Sequence, residues 1–124
     1  MGTINSNEYA FFEVENQMLL KASIIDLATL MGHTATEPIS SHIFCLEFGF
    51  TQEEHDQILL RLNLLSDKKE LSLEEVRKQL EQVIPKTSEL SKDIFNGMLK
   101  IFLKQFDIPL KISDLECWEE TNDF

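Results

Sequence analysis

His42 and Cys45 stand three residues apart in an apolar stretch with helical spacing, so both side chains could reach one metal ion. A tetrahedral zinc site needs four ligands. His33 and His55 would have to arrive from other segments, and no second His/Cys pair has matching spacing. Packing or surface roles are therefore expected for the histidines, and no metal or other cofactor is expected. Glu53-Glu54-His55-Asp56 gathers acid–base groups at four consecutive positions. On a helix these point in four directions and do not converge on one substrate atom. Acids in a first turn are better explained by the helix dipole and the cap. Residues 66–75 have the outline of a calcium loop but lack its Asp/Asn ladder and central Gly. The sequence also lacks a Gly-rich phosphate cradle, Gly-x-Ser-x-Gly and Cys-x-x-Cys. The expectation is a protein without catalytic residues.

The elements that carry these groups are easier to read. Phe48-Gly49-Phe50-Thr51-Gln52-Glu53-Glu54 ends one helix and begins another: Gly49 suits a left-handed closing residue, and Thr51 with Glu54 makes a capping box. Ser72 and Glu75 repeat the box, and Ser113 with Glu116 repeats it less cleanly. Apolar spacing predicts a long helix over residues 8–31, ended by Gly32 and His33. A second helix is expected from Thr36 or Glu37, with Pro38 in its first turn, to Phe48. A third is expected over residues 52–65 and a fourth over 73–84, stopped by Pro85; a fifth spans 88–106. After Ile108 the pattern allows a short docking helix capped by Ser113 or a flexible acidic tail, and Trp118 favours docking. The fold expected is all-α: one domain of about five helices, mostly antiparallel, with a flexible start at residues 1–7 and an acidic segment at 112–124.

Composition narrows the partners. The chain has 124 residues, 43% hydrophobic and 27% charged, enough for a core without disulfides or metals. Cys45 and Cys117 read as reduced thiols of a cytoplasmic protein. The apolar runs fall short of the roughly 20 residues needed to span a bilayer. The N-terminus lacks the basic start and hydrophobic region of a secretory signal. Gly2 and Ser6 match the letter of a myristoylation pattern, which we read as an initiation or cloning remnant. Net charge is −11, distributed as −8 over residues 1–60, +2 over 61–111 and −5 over 112–124. Such a chain is repelled by nucleic-acid phosphates and anionic lipid, so neither is expected as a direct partner.

The junction from Ile43 to Ile58, with Gly49, an apolar residue, Thr51 and Glu53-Glu54, resembles the YhaI-like family of small all-helical bacterial proteins. The stretch Ile94-Phe95-Asn96-Gly97-Met98-Leu99-Lys100-Ile101-Phe102 is a weaker point of similarity. The resemblance covers roughly residues 10–106. It implies an all-helical fold and carries no activity. The acidic segment 112–124 and the long apolar first helix depart from the family pattern.

The first helix has too few polar positions to present a full solvent face. Phe11, Val14 and Met18 are therefore expected at an interface between copies, in a homodimer or higher oligomer. Glu8, Glu15, Glu47, Glu53, Glu54 and Asp56, if they share a face, would steer a basic protein partner. The function expected is a non-enzymatic protein–protein interaction module. An acidic inhibitor or immunity-type protein that blocks a basic nucleic-acid-binding surface is the first alternative. A small-ligand or enzymatic helical domain is the second.

Overall fold

The computed structural model describes residues 6–68 and 70–115, and for residues 6–12 the backbone alone. It is all-α. The elements are α1 (Ser6–Leu30), α2 (Ser41–Phe48), α3 (Gln52–Leu65), α4 (Leu73–Val83), a 3-10 turn (Pro85–Glu89) and α5 (Lys92–Gln105). Among the described residues there is no strand, and one parallel bridge joins Leu71 to Ile112. No described helix is long and apolar enough to cross a membrane.

Local chemistry sets most boundaries. Gly32 closes α1 at φ 104°, with His33 N–H reaching Ala28 O and Gly32 N–H reaching Thr29 O. Gly49 closes α2 at φ 77°, and Phe50 N–H reaches Cys45 O. Both are left-handed stops that use orphan carbonyls of the last turn. The Thr51/Glu54 and Ser72/Glu75 capping boxes are both fully formed.

Two helices begin later than their sequence suggests. α2 starts at Ser41 because Ser40, extended at φ −156°, accepts from Ile43 N–H. Pro38 instead lies buried in a loop, where Thr34 and Glu37 close their own turn and the His33 ring accepts from Ile39 N–H. α5 starts at Lys92, capped by Ser91. The residues before it form the 3-10 turn, and the carbonyls of Thr87 and Ser88 in it and of Leu90 just past it all accept from Arg77. Ser113 caps no helix among the described residues. The chain returns from α5 so that Ser113 N–H meets Leu71 O, while Asp114 takes the first amide of α4 at Leu73. Residues 116–124, with Cys117 and Trp118, lie outside the described part.

The core belongs to α2–α5 and their connections. Phe44, Ile58, Leu62, Val76, Leu80, Phe95, Met98, Leu99 and Phe102 are fully sealed. Full burial of such a side chain contributes about 1.5–3 kcal/mol. Phe48 of α2 and Phe106, just past α5, pack against this cluster. Among the described residues the cluster holds no side chain from α1.

Candidate functional site

α1 is the element the fold leaves uncovered. At 25 residues and 1.5 Å per residue it is about 37 Å long. Its C-terminal end packs on α2, where Ala28 is buried and Ile24 and Ile25 are half-buried. The rest is open: the other large apolar residues from Val14 to Met31 are exposed, from 55% at Val14 to 84% at Leu30. At 3.6 residues per turn, Leu20, Leu27 and Met31 follow one stripe, Val14 and Met18 a second, and Leu19 and Leu30 a third. Two polar residues do little to break this surface, since Ser23 and Thr29 turn their hydroxyls back to Leu19 O and Ile25 O. Of the expected interface residues, Val14 and Met18 are exposed, and the Phe11 side chain lies outside the described part.

The acidic set is divided by the fold. The Glu8 side chain is outside the described part; Glu15 and Glu53 are exposed. Glu47 accepts from His33 Nε2 at 2.7 Å. Because Ile39 N–H occupies the other ring nitrogen, His33 carries its proton on Nε2 and pins the α1–α2 loop to α2. Glu54 completes the cap of α3 and pairs with Lys86 at 2.7 Å. The Lys86 hydrogen bond, then the Thr51 amide, hold its carboxyl below the usual value. Asp56 accepts from His55 and Gln52, which lower its pKa in that order. Glu53, Glu54 and Asp56 therefore lie together in the first turns of α3, with Glu54 and Asp56 already engaged.

One constellation was not legible in the sequence. Ser41 Oγ lies 2.8 Å from His55 Nε2, and His55 Nδ1 lies 3.0 Å from Asp56 Oδ1. The order Ser–His–Asp matches that of a nucleophilic triad. Consecutive residues do meet here, because His55 Nδ1 bonds sideways to its neighbour. Accessibility decides its role: Ser41 is 0% and His55 2% exposed. The His55 ring is enclosed by His42, stacked at 4.0 Å, and by Phe102 and Phe106. Ser41 N–H is already bonded to Gln105 Oε1 at 2.7 Å. The group is a sealed polar link between α2, α3 and α5. Ser41 and His55 sit fourteen residues apart on different helices, and no local spacing signals their meeting.

Cys45 is also sealed, and burial pushes its thiol up to about 12. His42 is exposed against it, and among the described residues no three His, Cys, Asp or Glu side chains converge as metal ligands. A polar cleft of about 220 Å³ lies between Thr36-Glu37 and the Asp93, Asn96, Gly97 and Lys100 face of α5. Asn96 Oδ1 is buried without a partner.

Comparisons with protein-family models, curated proteins and solved structures find no match. Function has to be argued from the surface itself.

Proposed function

We propose that the chain is a non-enzymatic, cytoplasmic protein–protein interaction module whose docking element is α1. One observation carries this: a helix with large apolar side chains exposed on several sides, attached to a body whose core is complete without it. Exposed apolar patches beyond a few hundred Å² mark interaction surfaces in soluble proteins. The YhaI-like affiliation remains part of the proposal, supported by the capped junction at Gly49–Glu54.

Leu20→Glu with Leu27→Glu tests the module. Both positions are exposed, so the helical spectrum and the melt should persist. Binding through α1, to itself or to another chain, should fall at least tenfold. Unchanged binding in the folded variant would refute the role of α1.

A small-ligand reading has one observation in its favour, the orphan Asn96 oxygen beside the polar cleft. The cleft is smaller than the roughly 300–1,000 Å³ usual for drug-sized ligands, so only a small polar molecule would fit. The acidic-inhibitor reading rests on the −8 charge of residues 1–60. It is weakened because Glu47, Glu54 and Asp56 already serve His33, Lys86 and His55. Association with a basic target should weaken as salt rises, whereas apolar docking through α1 should not.

A further inference from the structure

His33 uses its two ring nitrogens in opposite senses. Ile39 N–H donates to Nδ1 at 3.2 Å, and Nε2–H donates to Glu47 Oε1 at 2.7 Å. The residue is 3% exposed and stands where the chain leaves α1, one step past Gly32. A neutral imidazole satisfies both contacts, because it offers one acceptor and one donor. A protonated ring has two donors and no acceptor. Protonation therefore sets Nδ1–H against Ile39 N–H and ends that contact, whatever happens at the other nitrogen.

We infer that His33 is a proton-sensitive latch on the segment 33–39, which joins α1 to the body. The two contacts respond unequally to acid. On the Glu47 side the added charge turns a hydrogen bond into an ion pair, which is the stronger contact. While Glu47 is ionised, the ring stays on α2 and Ile39 alone is released. Ile39 is exposed, so its amide can turn to water. Glu47 is the charged group of α2 bonded to the ring. Asp26 of α1, Glu37 of the segment itself, and Asp93 and Lys100 of α5 stand on the elements packed around it, and none of these four bonds the ring.

The position of the latch gives it leverage. Within the segment, Thr34 and Glu37 close their own turn, and Thr36 rests on α5 at Gly97. The His33–Ile39 bond ties the two ends of the segment together. Beyond it, α1 is held to the body through α2, by buried Ala28 and half-buried Ile24 and Ile25 at the same end. Opening the latch therefore frees the direction in which α1 leaves the body, and the sealed core is untouched. The latch goes beyond the docking reading and stands on the ring's contacts alone; only its consequence for binding rests on that reading.

Nuclear magnetic resonance of the full chain from pH 8 to pH 5 tests the latch, with the His33 ring nitrogens and the Ile39 amide followed together. As Nδ1 gains its proton, Ile39 exchange protection should fall at least tenfold after correction for the intrinsic pH dependence, while Phe44 and Ile58 in the core keep theirs. In Glu47→Gln the side chain still accepts from Nε2–H but carries no charge, so both changes should move to lower pH. Spin labels at Gln17→Cys and Asn63→Cys, in a Cys117→Ser chain whose Cys45 is buried, should show a broader range of separations once the ring is protonated. An Ile39 amide that stays protected through ring protonation would overturn the proposal, as would a ring that protonates only when the core opens. An unchanged transition in Glu47→Gln would remove Glu47 from it. A label separation that does not respond would show that the latch does not control α1. The docking reading fails separately, through equal partner binding by wild type and Leu20→Glu/Leu27→Glu at pH 8.

Discussion

Helices α1 and α4 draw on the same apolar residue types and end in opposite environments. In α4, Leu73, Val76 and Leu80 recur at three- and four-residue steps and are buried, while Glu74, Glu75 and Lys78 face water. In α1 the apolar residues are spread around the axis, and of its side chains from Glu13 onward only Ala28 is buried. A single stripe specifies a single neighbour, and for α4 the rest of the chain supplies it. Apolar residues on several sides demand cover on several sides, and this body offers α1 cover at one end. The difference separates residues that specify the fold from residues that offer a surface.

The largest expected effect tests this contrast directly. Leu80→Ala should cost about 2–5 kcal/mol in denaturant unfolding, because it opens a cavity in a sealed core. Leu20→Ala should stay within about 0.5 kcal/mol at concentrations where chains are single. Equal losses would mean that α1 packs within its own chain, and the contrast would fail. A smaller effect is expected at the loop that anchors α1. A Cβ at Gly97 would sit 2.4 Å from Thr36 O, a backbone atom. Gly97→Ala should therefore cost about 1–3 kcal/mol by overpacking, against the helix-propensity gain of about 1 kcal/mol that the change brings in an open helix. A stabilised Gly97→Ala would show that the 34–37 turn yields freely and holds α1 only loosely.

Acid should move the two regions in opposite directions, with the smallest effect. Glu54, Asp56 and Glu75 all have lowered pKa values in the fold, from Lys86, His55 and the Ser72 amide respectively. Their stabilisation is full above the ordinary carboxylate values, 4.5 for Glu and 3.8 for Asp, and is lost as pH falls through the lower folded values. The body should melt earlier below about pH 4.5, and Lys86→Met should remove the Glu54 share. Association through α1 should tighten over the same range as repulsion between two −11 chains is discharged. Thermal melts and sedimentation across pH 3–6 check both; parallel trends would show that the two regions do not respond separately.

Local signals account for what was legible. The stops at Gly32 and Gly49, the Thr51 and Ser72 boxes and the break at Pro85 each act within a few residues, so they can be read from neighbours. The late starts of α2 and α5 could not be read that way. They depend on His33 bonding Ile39 and Glu47, and on Arg77 gathering carbonyls ten to thirteen residues ahead. The uncovered state of α1 was legible as an excess of apolar positions. The engagement of Glu47, Glu54 and Asp56 was not, because a carboxylate on a helix surface looks the same in sequence whether or not a partner arrives from elsewhere.

Cys45 gives the body a clock. Its thiol is sealed in the core beside Phe44, and burial holds it in the protonated, unreactive form. Alkylation in a Cys117→Ser background can therefore proceed only when the bundle opens, and its rate relative to a free thiol reads the opening equilibrium without denaturant. If α1 pairing leaves the body untouched, that rate will not change with protein concentration. A rate that slows as chains associate would mean that covering α1 also steadies the core.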